Sequence, residues 1–207
     1  MYNNQWSYIC GYLTEGQDRF VENFLREAVI KEFPGKVHMI RQGEESSYLY
    51  LILNGYLETY LLMEDGRKKT NMIFTSMSVV GVSCLDEPVS RVNLRCLSRV
   101  KAAAVHKSTV LSWPPDMLLS LAMLQTLKMQ GVYRQLREQA FLSVEEQILK
   151  FLRDWRESGI SEMQTGIKGI NRQLLADSLG ISRVQAVNTL NRMLQQGKIP
   201  EEAKEFL

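Results

Sequence analysis

The chain reads as an α+β protein in three consecutive parts: a β-rich N-terminal part, one long helix and a C-terminal helix-turn-helix. Three observations predict this. Short runs of β-branched and aromatic residues, separated by turn residues, fill positions 37–105. A proline-free stretch of strong helix formers runs from 116 to about 141. Residues 172–191, RQLLADSLGISRVQAVNTLN, place small, glycine and apolar residues where two crossed helices need them.

The elements follow in order. The first thirty-odd residues read as short helices, with Phe20, Phe24, Leu25 and Ala28 at helical spacing between Asp18 and Ile30. The period then shortens, and strands are expected at 37–41, 47–53, 56–63, 68–74, 91–97 and 100–105. Asp65-Gly66 predicts a two-residue hairpin, because that turn wants positive φ. Strands so spaced suit a sandwich or barrel. Pro114-Pro115 opens the long helix, since proline is favoured in a first turn. Its first half is apolar nearly all round, and its second half narrows to Met129, Val132, Leu136 and Ala140. A helix apolar on more than one face must bury more than one face. It either packs entirely on its own β part, or packs one side there and pairs the other with a second copy. Ser143-Val144-Glu145-Glu146 has capping-box spacing and opens a helix from 144 to about 155. A loop-rich stretch, 158–169, precedes two last helices at 171–179 and 182–195.

Composition sets bounds. The 207 residues carry 25 Lys+Arg and 23 Asp+Glu, a net charge of +2. Between 168 and 198, five cations (Lys168, Arg172, Arg183, Arg192, Lys198) face one acid, Asp177, a local balance of 5 minus 1, or +4. Such an island is enough for a DNA-facing module. Cys10, Cys84 and Cys96 are an odd count without a tight pair, which argues against a disulfide scaffold. There is no apolar run long enough to span a membrane and no signal-peptide pattern, so a membrane partner is not expected and a cytoplasmic location is. His38 and His106, the two histidines, are too far apart in sequence to suggest a metal site, and no nucleophile–base pair stands out. No enzyme activity, catalytic residue, metal or cofactor is expected.

In the helix-turn-helix, Leu175, Ala176 and Leu179 form the inner face of the first helix. Gly180 makes the sharp turn, Ile181 plugs it, Ser182 caps the second helix, and Ala186 and Leu190 pack that helix back. Thr189 departs from the usual larger aliphatic. The second helix then presents Ser182, Arg183, Val184, Val187, Asn188 and Asn191 outward to a major groove. Arg183 can donate two bonds to guanine, Asn188 can pair with adenine, and Val184 or Val187 can meet a thymine methyl. Asn171, Arg172, Gln173, Gln185, Arg192 and Lys198 are placed to contact phosphates, which positions rather than specifies.

A β-rich part, a long helix and a terminal helix-turn-helix in this order resemble the Crp/Fnr family of bacterial transcription regulators. The resemblance runs from about Phe20 to Ile199. It rests on IRQGEESSYLYLILNGYLETYLL and EDGRKK, on AFLSVEEQILKFL, and on INRQLLADSLGISRVQAVNTLNRMLQQGKI. It implies an N-terminal double-stranded β-roll (a cyclic-nucleotide-binding-like jelly roll) over 1–111, a dimerisation helix over 112–142 and a winged-helix-like DNA-binding domain over 143–207. The partners it implies are double-stranded DNA and a second copy through residues 116–141. RNA polymerase is a further candidate partner.

The departures from the family pattern are informative. Where cyclic-nucleotide binders carry Gly-Glu-Leu, this chain has Gly81-Val82-Ser83, and Arg91 is one place out of register, which turns a strand side chain to the other face. Cyclic AMP is therefore not the expected effector. Cys10 alone does not make an iron–sulfur site, and neither histidine is favoured as a haem ligand. Cys84 and Cys96 are a candidate thiol pair, with buried free cysteines the plainer alternative. By family position, a small organic effector would lie between roll and long helix, against Lys128, Val132 and Tyr133 from the helix and Tyr60, Leu62, Phe74, Cys84 and Arg95 from the roll. The recognition helix keeps Arg183 but has Val184 and Asn188 where the family has a glutamate and a second arginine. After Gly197-Lys198-Ile199 the wing is expected to be shortened or absent. The alternative reading is a ligand-binding or protein-interaction dimer of the same fold with weak or lost DNA binding.

Overall fold

The computed structural model describes residues 7–10, 18–158 and 171–199. Two sheets form the N-terminal part. Strands β1 (Ile9–Cys10), β3 (His38–Ile40), β5 (Leu57–Leu62), β6 (Lys68–Phe74) and β8 (Asn93–Cys96) make one, in the order β1-β6-β5-β8-β3. Strands β2 (Val29–Phe33), β4 (Tyr48–Asn54), β7 (Val79–Val80) and β9 (Val100–His106) make the other, in the order β2-β9-β4-β7. Pairing is antiparallel except for β1 on β6. The facing surfaces bury Tyr50, Ile52, Leu57, Met72, Phe74, Leu94 and Cys96 with Val100, Ala102 and Ala104. The alanines of β9 leave room for larger neighbours, as interdigitated layers require.

Helix α1 (Asp18–Glu27) stops short of the expected end at Ile30. Val29 and Ile30 instead begin β2 and pair with Ala104 and Ala103, because two β-branched residues beside an open sheet edge gain more from the ladder than from another helical turn. Phe20 and Phe24 of α1 pack on Trp113 at ring-centroid distances of 5.9 and 5.5 Å. The Trp113 indole N–H donates to Glu27 at 2.6 Å. The Asp65-Gly66 turn is also longer than expected: the strands end at the pair Leu62–Lys68, and five residues connect them. A short helix α2 (Lys107–Leu111) and a turn of 3-10 helix at Val82–Leu85 complete this half.

Helix α3 (Pro115–Phe141) starts at Pro115. It buries Met117, Leu121, Leu124, Gly131, Gln135 and Glu138, a seam spaced by threes, fours and one step of seven. The opposite seam is open: Leu119, Met129, Tyr133 and Leu136 are each more than half exposed. Ser143 caps helix α4 (Val144–Glu157), its Oγ accepting from Glu146 N at 3.3 Å while the Glu146 carboxylate accepts from Ser143 N at 2.8 Å. This is the capping box the sequence spells.

The C-terminal helices do not stand apart from the roll. Ile148, Phe151 and Trp155 of α4, with Leu174, Leu175, Leu190 and Met193, share one core with Tyr8, Ile9, Tyr56 and Ile73 of the sheet. Tyr56 meets Trp155 edge-on at 5.9 Å. Gln135 of α3 donates to the carbonyls of Ser7 and Asn71 at 2.6 and 2.5 Å. The sequence boundary at 142/143 thus crosses continuous packing. The segment where a shortened or absent wing is expected, after Ile199, and most of the 158–169 loop lie outside the described residues.

Candidate nucleic-acid interface and effector pocket

Helices α5 (Arg172–Leu179) and α6 (Arg183–Gln195) form the helix-turn-helix. Asn171 caps α5, its side-chain oxygen accepting from Leu174 N at 2.8 Å. Gly180 takes φ 72°, a left-handed conformation that costs glycine nothing. Its N–H and that of Ile181 both return to Ala176 O at 2.9 and 3.1 Å, closing the end of α5. Ser182 Oγ accepts from Gln185 N at 3.0 Å and fixes where α6 begins. Ala176, Ala186, Leu190 and Met193 are fully buried where the helices meet.

That anchoring leaves the other face of α6 free. Ser182, Arg183, Val184, Gln185, Asn188 and Asn191 are exposed and Val187 is half-buried. Val184 is 70% exposed, much for a valine on a packed helix, and it adds to an outward strip of donors and methyls. Asn171 and Gln173 are exposed and Arg172 is half-buried at the start of α5. Arg192 and Lys198 are exposed, but both are held by Glu145 of α4 at 3.0 and 2.7 Å. These pairs draw the Glu145 carboxyl below its ordinary range, Lys198 first.

The candidate effector residues separate into five places. Lys128 and Phe74 are together: the ammonium lies 5.5 Å from the Phe74 ring centre and donates to Val79 O. Beside them Cys10, Met72, Met77, Leu124 and Arg134 enclose a cavity of about 30 Å³. Burial depresses the Lys128 pKa to about 8, partly offset by Cys10. Tyr60 and Arg95 are together elsewhere, on the five-stranded sheet, with the guanidinium 5.7 Å from the ring centre. Leu62 is 48% exposed at the strand end. Cys84 lies in the core around Phe20, Trp113 and Met117. Val132 and Tyr133 point away from the roll on the open seam of α3, 43% and 62% exposed. The eight residues therefore do not line one cavity. Positions equivalent along a helix need not face the same way when the helix carries two apolar seams.

Two other expectations are corrected or supported by this geometry. Cys84 and Cys96 belong to different core clusters, and burial raises both thiols, Cys96 to about 11, which is contrary to a reactive pair. Arg91 turns to solvent and pairs with Glu87 rather than entering the roll, as its shifted register implies.

Sequence reasoning missed a buried charge cluster. Glu58 of β5 has no exposed surface. It accepts from Lys68 at 2.8 and 2.9 Å, from Arg95 at 2.9 and 2.5 Å, and from Thr70 at 2.8 Å. A glutamate in the apolar run YLETYLL was its one sequence signal, since a buried carboxylate must be paired.

Comparison with known proteins fits these features. Residues 30–115 match the cyclic nucleotide-binding domain family. The CRP-like protein Clp of Xanthomonas oryzae pv. oryzae is 22% identical over 196 residues, covering 89% of this chain and 85% of that protein. The structure of the c-di-GMP-responsive global regulator CLP of Xanthomonas campestris is similar with a TM-score of 0.73 at 22% identity, over 86% of this chain and 92% of that one. A CRP/FNR-family transcriptional regulator of Thermus thermophilus is similar with a TM-score of 0.73 at 16% identity, over 84% and 89%. The relatives are described as regulators, and no helix among the described residues is long and apolar enough to cross a membrane. With its β-roll, long helix and terminal helix-turn-helix in the same order, the chain is similar to the Crp/Fnr family of transcription regulators over most of its length.

Proposed function

We propose that the chain is a homodimeric, sequence-specific DNA-binding regulator, in which residues 1–111 sense, 112–142 pair two copies and 143–207 bind DNA. The observation that carries this is α6: its inner face is locked by Ala186, Leu190 and Met193, while Arg183, Val184, Asn188 and Asn191 stand in solvent. A rigid helix presenting uncommitted donors and methyls is what major-groove readout requires. The open apolar seam of α3 (Leu119, Met129, Tyr133, Leu136) supports pairing with a second copy, since a monomer gains nothing by exposing it.

A small effector other than cyclic AMP would act between roll and α3. The cavity there is about 30 Å³, room for a water or two. An effector therefore enters by displacing Lys128 from Val79 O. The c-di-GMP named for the Xanthomonas campestris regulator is far larger than this space and would require the roll and α3 to part.

One observation favours the second reading, a dimer of the same fold with weak DNA affinity. Glu145 already holds Arg192 and Lys198, which leaves fewer cations for phosphates.

Fluorescence anisotropy against random and selected duplexes at several salt concentrations separates the readings. Binding that weakens steeply with salt is expected. Arg183→Ala should cost about 1–3 kcal/mol of discrimination between sequences, with a smaller loss on random duplex. Absence of salt-dependent duplex binding would establish the second reading. An equal loss on all sequences would make Arg183 a phosphate contact.

A further inference from the structure

Strand β1 is short, yet it ties the roll to two helices. On the roll side, Tyr8 O accepts from Ile73 N at 2.9 Å, and Cys10 O accepts from Thr75 N at 3.0 Å and from Ser78 Oγ at 2.8 Å. Ser7, just ahead of the strand, has all three of its polar groups bound to helices. Its carbonyl accepts from Gln135 of α3 at 2.6 Å, its hydroxyl donates to Glu138 of α3 at 2.6 Å, and its N–H donates to Asp154 of α4 at 3.0 Å. The Tyr8 ring meets Phe151 of α4 at 5.6 Å. The segment therefore bridges the junction at which α3 passes into α4.

The charges at that junction are unevenly matched. Glu138 and Asp154 are both buried, and Lys150 of α4 reaches the two carboxylates at 3.5 and 3.3 Å. With both ionised, two carboxylates meet this one ammonium, a balance of −1. Glu138 Oε2 and the Tyr8 hydroxyl are buried without a hydrogen bond among the described residues. Burial raises the Asp154 carboxyl above its ordinary range, against the pull of Ser7 N–H and Lys150, and Glu138 raises it further. Burial, then Glu138 and Asp154, raise the Tyr8 phenol, which stays neutral. The rest of the surrounding core is apolar, from Ile73 of β6, Leu174 of α5, and Leu190 and Met193 of α6. Arg134, one turn before Glu138 on α3, lines the Lys128 cavity, where its charge bears on Cys10. Two carboxylates sharing a buried site do not both ionise cheaply.

We propose that β1 is a proton-operated strap, held across the α3–α4 junction while the Glu138–Asp154 pair carries a proton from solvent and loosened when both carboxylates are ionised. With the proton bound, one carboxylate faces the Lys150 ammonium and the site is neutral. Without it, an unbalanced charge sits in an apolar core, and parting Ser7 from the helices relieves the cost by admitting water. The sign follows from linkage. A carboxyl whose pKa is raised in the docked form favours docking at low pH, and that advantage disappears as pH rises through the raised value. Lys128, beside Cys10 at the other end of the strand, acts with the opposite sign: releasing its proton near 8 favours the closed core. Because α4 leads into the helix-turn-helix, the strap sets how firmly that module is tied to the roll and α3. The device does not depend on the chain binding DNA.

Hydrogen exchange of the full chain, read by mass spectrometry and referenced to the unfolded chain at each pH, tests this at about pH 5 and about pH 8. Protection of residues 7–10 should be at least about tenfold higher at the lower pH, with β9 reporting any global opening. Asp154→Asn and Glu138→Gln each remove one charge and keep the shape. Either should protect 7–10 at the higher pH as well as the parent does at the lower. Ser7→Ala keeps both charges but loses the hydroxyl that donates to Glu138, so it should lower protection at both. Equal protection of the parent at the two pH values, a pH dependence that β9 shares in full, or indifference to Ser7→Ala would each overturn the strap. So would a full pH dependence, or weaker protection at the higher pH, in both isosteric variants. Duplex binding is not used here, so failure leaves the DNA-binding reading intact.

Discussion

The outward face of α6 and the polar groups inside the roll follow opposite plans. On α6 the donors of Arg183, Asn188 and Asn191 face solvent while the helix beneath is fixed by apolar packing. Inside, three polar heads are taken by the protein itself: Lys128 by Val79 O, Glu58 by Lys68, Arg95 and Thr70, and Gln135 by two carbonyls. A surface that reads a partner keeps its bonding capacity unspent. An interior whose polar groups are paired has spent it, and changes only by exchanging one partner for another. Substitutions should accordingly strike stability inside and recognition outside.

The largest expected effect is inside. Glu58→Ala removes the shared acceptor, leaving Arg95 without it and Lys68 with Asp177 at 3.2 Å; the two cationic side chains are 35% and 18% exposed. Breaking a buried pair from one side costs about 3–5 kcal/mol, and the partial exposure of both cations puts this change near the lower end. Urea unfolding measures it. A loss below about 1 kcal/mol would mean the cations relax to water freely, and the inward plan would then be mere packing.

The sequence disclosed the two plans unequally. Helix starts and turns were legible because each is a local covalent pattern: Ser143 with Glu146, Ser182 before α6, and Gly180 between helices need only neighbours a few residues apart. Strands β4, β5, β6 and β9 were legible from residue type and turn spacing. The end of α1 was not, because Val29 and Ile30 are claimed by β9, seventy-odd residues away in sequence. Strands β1 and β7, of two residues each, carry no period. The outward residues of α6 followed from the phase of one helix. The effector residues did not, since a cavity is a meeting of distant segments: Cys10, Met77 and Arg134 line the Lys128 cavity, whereas Tyr133, assigned by position along the chain, falls on the opposite seam.

Lys128 provides a smaller, pH-dependent effect. Its pKa in the fold is about 8, below the ordinary value of about 10.4 that it recovers on unfolding. Between these values the unfolded chain holds a proton that the folded chain has released, so this group's contribution to stability rises with pH. Below about 8 the cost of burying its charge is fully present. Removing the ammonium also removes the charge that holds down the neighbouring Cys10 thiol, which makes a variant lose ground as pH rises. Both effects have one sign. The stability of Lys128→Met relative to the parent should be most favourable near pH 7 and decline towards pH 10, as measured by urea midpoints across that range. Parallel midpoints would show that Lys128 keeps an ordinary pKa and is not enclosed.

The smallest stability effects set the two plans side by side in adjacent residues. Ser182 and Arg183 are both exposed at the start of α6, yet only Ser182 bonds back to the helix, through Gln185 N at 3.0 Å. Ser182→Ala leaves that N–H uncapped and should cost about 1 kcal/mol. Arg183→Ala touches nothing that holds the helix and should stay within about 0.5 kcal/mol. Against duplex the ranking inverts: Arg183→Ala should lose discrimination, while Ser182→Ala, with its helix still folded, should lose less. Thermal melts and anisotropy on the same two proteins read both orders. If Arg183→Ala were the more destabilising of the pair, its guanidinium would be bracing the fold rather than waiting for a base, and the outward plan would lose its principal residue.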